Sequence, residues 1–144
     1  HRHQLTSRLH TSSFMPLINI KVSASSSPAM TAKISTQVSD LTSRILGKKA
    51  GLIATIITYV RPEDWLIGGK TLSEIGVSSF SLEIIVTDET NTKAQKAEYL
   101  AEVFACFERL LGPVHPTSYV HVHDARASAY GFGGRTQEAR FHRS

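Results

Sequence analysis

Three places in this 144-residue chain carry side chains of a type and setting that could do chemistry. The first is Pro16, which directly follows Met15 and opens the run Pro16-Leu17-Ile18-Asn19-Ile20-Lys21-Val22. If Met15 initiates the chain and is removed, Pro16 becomes an N-terminal secondary amine, and such an amine carries a proton at a pKa that its surroundings can tune. No internal proline can do this. The second place is the pair His121 and His123, two histidines one residue apart with no cysteine nearby. Two ligands are too few for a metal site, so His121 reads either as a histidine that donates or shuttles a proton or as a solvated or interface side chain, sharing its face with His123. The third is Cys106, the only cysteine. It rules out an internal disulfide or a CxxC redox pair, and its place in an apolar helical pattern reads as a buried thiol.

These residues need a scaffold, and the sequence marks one. Residues 16–23 alternate as a strand. Ser27 is placed as an N-cap with Pro28 at the first helical position, and Ile34, Val38, Leu41 and Ile45 recur at helical spacing to about Leu46. Gly47 ends that helix. Residues 52–60 are rich in β-branched side chains and read as a second, central strand, broken by Arg61-Pro62-Glu63-Asp64 and a loop at Gly68-Gly69. The pattern then recurs. Residues 80–86 form a third strand, and Thr92 with Gln95 suits a capping box opening a helix through Leu100, Val103, Phe104, Phe107 and Leu111. Gly112-Pro113 stops it, and residues 118–123 give a fourth strand before a Gly-rich, Arg-bearing tail.

The two helix-ending glycines stand 65 residues apart, so one β-α-β unit is used twice. The expected class is α+β: a four-stranded sheet with both helices on one face and strands parallel within each unit. Strands 52–60 and 80–86 carry apolar residues at successive positions, so both of their faces call for burial. The chain has nothing left to cover the second face. Assembly of copies through the sheet is the economical answer.

Composition narrows the function classes. Apolar residues make up 41% of the chain and charged residues 19%, as in an ordinary water-soluble domain. No apolar run approaches the ~18 residues of a membrane span. The formal charge is +4, and without residues 1–15, which hold Arg2 and Arg8 and no acids, 14 basic residues face 12 acidic ones. That is too little and too dispersed for a nucleic-acid partner. Residues 1–15 read as an N-terminal extension, a tag, scar or transit-like segment, and residues 16–144 as a single domain. The lone thiol leaves the compartment reducing or indifferent, and a cytoplasmic location is the expectation.

Over residues 16 to about 136 the chain resembles the tautomerase superfamily, and within it the proteins related to macrophage migration inhibitory factor (MIF) and D-dopachrome tautomerase. The resemblance rests on the Met15-Pro16 start, Gly47-Lys48 after the first helix, Gly68-Gly69 before the third strand and Ala94-Gln95 in the second helix. Tyr119, a polar residue two positions on, Asp124 and Gly131-Phe132 complete it. It implies a homotrimer of β-α-β-β-α-β subunits, with the sheets inside, the helices outside and the sites between neighbouring subunits. By position it makes Pro16 the catalytic base, Lys48 a substrate-binding lysine and Tyr119 a tyrosine supplied by the adjacent subunit. His121 stands where close relatives usually carry asparagine. Asp88 stands where they have an apolar residue whose backbone N–H meets substrate. The CxxC segment of some relatives is replaced by Phe80-Ser81-Leu82-Glu83.

The implied activity is keto–enol tautomerisation of phenylpyruvate-like α-keto acids, with no cofactor and no metal. That chemistry needs a base near neutrality, an acid to return the proton, and positive charge facing the carboxylate. Burial and a neighbouring ammonium such as that of Lys48 both lower the pKa of an amine at Pro16. Two other readings stand beside it. One is a hydratase or decarboxylase acting on short unsaturated or β-keto acids, in which the proline stays protonated and a carboxylate such as Asp88 or Glu63 activates water. The other is a non-enzymatic interaction protein, which gains weight if residues 1–15 stay attached and leave Pro16 an amide. An RNA-recognition module shares the element order but needs exposed aromatic residues on its third strand, where residues 80–86 offer only Phe80.

Overall fold

Two β-α-β units placed side by side supply the four-stranded sheet and both long helices of the computed structural model, which describes residues 16–139. The segment 1–15, read above as an extension, lies outside the described residues, as do residues 140–144.

The first unit runs from β1 (Leu17–Val22) through α1 (Pro28–Leu46) to β2 (Ala54–Tyr59). Helix α1 starts where Ser27 accepts a hydrogen bond from the Met30 N–H at 3.2 Å, and Pro28 lacks the N–H that would otherwise be orphaned there. It ends at Gly47, whose φ of 71° lies in the left-handed region open to glycine, with the Gly47 N–H closing back on Ser43 O. Strand β2 begins two residues later than the sequence suggests. Residues Ala50–Leu52 form a 3-10 turn that lowers the chain from the helix end to the sheet edge.

A small insertion follows. β3 (Leu66–Ile67) and β4 (Lys70–Thr71) pair across Gly68-Gly69, whose positive φ angles of 58° and 80° fit a tight two-residue hairpin. The sequence marks this stretch as loop alone and shows no helical period at α2 (Leu72–Ile75), a single turn fixed by a capping box between Thr71 and Glu74.

The second unit is β5 (Phe80–Thr87), α3 (Lys93–Leu111) and β6 (Tyr119–Ala125). The Thr92–Gln95 capping box is present in both directions. Strand β6 runs two residues past the expected 123, and the tail folds into a hairpin of β7 (Gly131–Phe132) and β8 (Arg135–Thr136). Sheet order is β2-β1-β5-β6, parallel within each unit and antiparallel where β1 meets β5.

Both helices lie on one face. Ile18, Ile20 and Val22 of β1 and Phe80, Leu82, Ile84 and Val86 of β5 are buried beneath Ile34, Val38 and Leu41 of α1 and Val103, Cys106 and Phe107 of α3. Phe80 and Phe107 stack with centroids 4.1 Å apart. Each such side chain contributes about 1.5–3 kcal/mol by leaving water. The helices are also clasped together: Thr42 Oγ1 shares a 2.7 Å hydrogen bond with the Tyr99 hydroxyl and donates to Val38 O. Burial pushes the Tyr99 phenol up to about 12, so it stays a neutral partner.

The other face is bare. Strand register arranges it in rows, Ala54-Leu17-Ile85-His123, then Ile56-Asn19-Glu83-His121, then Thr58-Lys21-Ser81-Tyr119. Ile56 is 53% exposed and Tyr119 66%. No helix among the described residues is long and apolar enough to cross a membrane.

Candidate functional site

Strand register decides which candidate residues meet. One step beyond the Leu17–Ile85 pair, Pro16 falls beside Val86, and Val86 pairs in turn with Asp124 on β6. Side chains alternate faces along a strand, so Pro16, Val86 and Asp124 all lie on the helix side, with Pro16 and Asp124 roughly 10 Å apart at two strand spacings. Pro16 is buried, and its carbonyl accepts the Ala54 N–H at 3.2 Å, fixing the start of β1 against β2.

Lys48 comes to the same end of the sheet. The left-handed Gly47 turns the chain off α1, and two contacts dock the turn on the loop after β5: Asn91 Nδ2 donates to Leu46 O at 2.8 Å, and Lys48 Nζ donates to Thr90 Oγ1 at 3.0 Å. Thr90 Oγ1 itself donates to Thr87 O at 2.6 Å, one residue beyond Val86. Lys48 is 5% exposed, and burial lowers its pKa to about 8 against the opposing pull of Asp124. A lysine in this condition is charged at neutral pH yet poorly hydrated, so a substrate carboxylate would lose little by replacing its water. Asp124 meets Lys96 of α3 at 2.6 Å.

The remaining candidates lie elsewhere. Asp88 sits at the rim of this end with an exposed side chain, and its backbone N–H donates to Ala125 O at 2.7 Å. Tyr119 and His121 stand on the bare face near its far end, lining with Lys21, Ser81 and Glu83 a concavity of about 750 Å³. Tyr119 pairs with Ser81, and Ser81 with Lys21, five residues along β1 from Pro16. That is roughly 17 Å at about 3.3 Å per residue. Within one chain, Tyr119 and Pro16 do not meet. His121 Nδ1 lies 3.9 Å from Glu83 Oε2, and its ring meets His123 edge-on at 5.6 Å. No group of three or more metal-ligating side chains occurs among the described residues. Glu63 lies in a 3-10 turn with its carboxylate 3.5 Å from Ser73 Oγ, and Arg61 pairs with Asp64 at 3.0 Å.

Three residues at the Pro16 end are not among the candidates the sequence offers for the site: Thr90, Lys96 and Asp124, the last of which enters only as part of the resemblance. Two of them carried a signal. Val120 and Val122 mark the helix side of β6, so the alternation extended by two places Asp124 there. Lys96 continues the buried stripe Tyr99, Val103 and Cys106 backward by one helical step. Thr90 carried none, because its position depends on how a five-residue loop closes.

No protein-family model and no curated protein sequence matches this chain. Solved structures do. The MIF-like protein EhMIF from Entamoeba histolytica superposes with a TM-score of 0.69 at 19% identity, over 85% of this chain and 98% of that one. A fused 4-OT solved as an asymmetric trimer gives a TM-score of 0.70 at 18% identity, over 85% of this chain and 97% of that one. Pt0534 inactivated by 2-oxo-3-pentynoate gives 0.73 at 14% identity, over 85% and 97%. The chain thus has the tautomerase fold shared by MIF-like and 4-OT structures, nearly from end to end of each.

Proposed function

We propose that this chain is a keto–enol tautomerase for phenylpyruvate-like α-keto acids, acting as a homotrimer with Pro16 as general base once Pro16 is the mature N-terminus. The observation that carries the reading is the convergence of Pro16 and the buried cation Lys48 at one end of the sheet. In the enolising direction the neutral Pro16 amine takes a proton from the carbon next to the carbonyl. The electron pair moves onto the carbonyl oxygen, which takes up a proton; ketonisation runs the same steps in reverse. Lys48 pairs with the substrate carboxylate and its charge lowers the amine pKa. Tyr119 and His121, too far from Pro16 of their own chain, would act on the developing oxyanion of a neighbouring copy, and Asp88 would stand at the rim of the pocket.

Trimeric assembly is supported by the bare sheet face and by the trimer of the fused 4-OT. The substrate class is supported by the inactivation of Pt0534 by a 2-oxo acid. In this reading residues 1–15 are an extension and residues 16–144 the functional domain.

The test uses protein processed to begin at Pro16, assayed for ketonisation of enol-phenylpyruvate beside Pro16→Ala and beside the unprocessed chain. Activity confined to the processed wild type is expected. Equal rates for all three would overturn the reading. A free amine should also add to the activated triple bond of 2-oxo-3-pentynoate, leaving a mass increment on the Pro16 peptide that Pro16→Ala does not gain.

A further inference from the structure

Two ammonium groups stand near one carboxylate at the Pro16 end. Asp124 Oδ2 lies 2.6 Å from Lys96 Nζ, the shortest ion pair among the described residues. Lys48 Nζ, though more deeply buried, has the Thr90 hydroxyl as its hydrogen-bond partner and no carboxylate within 4 Å among the described residues. Asp124 nevertheless acts on Lys48 through space. The carboxylate is thus held by a partly exposed lysine, while a buried lysine at the same end of the sheet feels it only through space.

This is the reverse of what desolvation alone would select. A buried cation gains more from a carboxylate than a cation with 29% of its side chain exposed. The sheet and helix set the outcome. Asp124 is the last helix-facing residue of β6 and Lys96 is in the opening turns of α3, so both are held on rigid elements, while Lys48 approaches from the end of α1.

We infer that Lys96 is a positioning residue which, by holding Asp124, leaves Lys48 without an internal counter-ion and so keeps it ready for a substrate carboxylate. This rests on the proposed role of Lys48 in binding an α-keto acid. If Asp124 were released it would pair with Lys48, and substrate would then have to displace an intramolecular carboxylate. The other charged groups around Lys48 do not fill the gap. Asp88 and Glu89 of the β5–α3 turn, Lys49 next in sequence and Lys93 at the start of α3 are exposed, and an amine at Pro16 would repel the lysine rather than pair with it.

The experiment compares Lys96→Met, Lys96→Arg, Asp124→Asn and the double variant Lys96→Met/Asp124→Asn in protein processed to Pro16. Two readouts are taken: the Lys48 titration followed by NMR at its side-chain ammonium, and calorimetric binding of phenylpropionate, a carboxylate that cannot react. Lys96→Met should raise the Lys48 midpoint by about one pH unit and weaken phenylpropionate about tenfold. Lys96→Arg should behave as wild type. Asp124→Asn should lower the midpoint, and the double variant should regain the affinity lost in Lys96→Met, because the competing carboxylate is gone. A merely structural role for Lys96 gives no such rescue. Unchanged midpoint and affinity in Lys96→Met, or a double variant as weak as Lys96→Met, would overturn the inference. Both readouts are independent of turnover, so absence of ketonisation would count against the proposed activity and not against the coupling.

Discussion

Lys48 Nζ donates to Thr90 Oγ1 at 3.0 Å, tying the end of the first helix to the loop that leaves the third strand of the four-stranded sheet. The contact holds a lysine that folding has moved almost out of water, at 5% exposure, with its pKa lowered from 10.5 to about 8. The sign of the stability effect follows. Below pH 8 the folded chain carries the full cost of a buried charge. Between about 8 and 10.5 the unfolded chain binds the proton that the folded one has released, so stability rises with pH, and above 10.5 the cost is gone. Lys48→Met should therefore be more stable than wild type at pH 7, by on the order of 3 kcal/mol. That advantage should shrink to nothing toward pH 10.5. Urea unfolding of both proteins at a series of pH values checks it.

The same titration bears on substrate. A carboxylate held by Lys48 loses its partner as the amine deprotonates, so KM for an α-keto acid should rise above pH 8 while staying flat from pH 6 to 7.5. Lys48→Met should start with a KM raised at least about tenfold and lose that pH dependence, since a lost charge-assisted hydrogen bond is worth about 1.5–3 kcal/mol. Initial-rate kinetics across this range give both numbers.

How much of this was legible beforehand differs by level. Ser27-Pro28, Gly47, the Thr92–Gln95 box and Gly112 are local signals, each acting within one turn of backbone, and the two long helices follow from them. The 65-residue repeat and the apolar strands then leave few sheet topologies open. The Gly68-Gly69 hairpin and the single-turn helix Leu72–Ile75 do carry local signals, the paired glycines and the Thr71–Glu74 capping box, but each is too short to show a hydrophobic period. The C-terminal hairpin was not legible, because its segment is held by tertiary contacts such as the Thr87–Tyr130 hydroxyl pair at 2.8 Å. Of the candidate site residues, Pro16 is singled out by its place after Met15, and Lys48 by the resemblance to the tautomerase superfamily, which puts a lysine after Gly47. The Lys96–Asp124 pair spans 28 residues and is set by how a helix lies on a strand, which neither segment encodes alone.

The core makes a separate demand. Phe80 and Phe107 are fully buried and stacked at 12° between ring planes, joining the central sheet to the second long helix. Phe107→Ala leaves a void against Phe80 in the core that close-packed neighbours cannot fill, and should cost about 3–5 kcal/mol. Phe107→Leu should cost roughly half of that. Chemical denaturation at pH 7 separates the two.

The bare sheet face carries the last prediction. Leu17, Ile56 and Ile85 stand there beside Asn19, Glu83 and the two histidines, and no element among the described residues covers them. If copies assemble through this face, Ile85, on one of its two inner strands, is buried in the assembly, and Ile85→Lys sets like charges against one another where water is excluded. The isolated chain has no such objection, since Ile85 points away from the helices and a lysine there reaches solvent. Light scattering should therefore show wild-type trimer and Ile85→Lys monomer, with matching far-UV circular dichroism. Tyr119 lies roughly 19 Å from Pro16 in one chain, five residues along and two strands across, so a site needing both is lost when the copies part. Ketonisation by Ile85→Lys should fall about 100-fold or more, in proportion to the trimer lost. An active monomer would show that Tyr119 and His121 take no part in the chemistry.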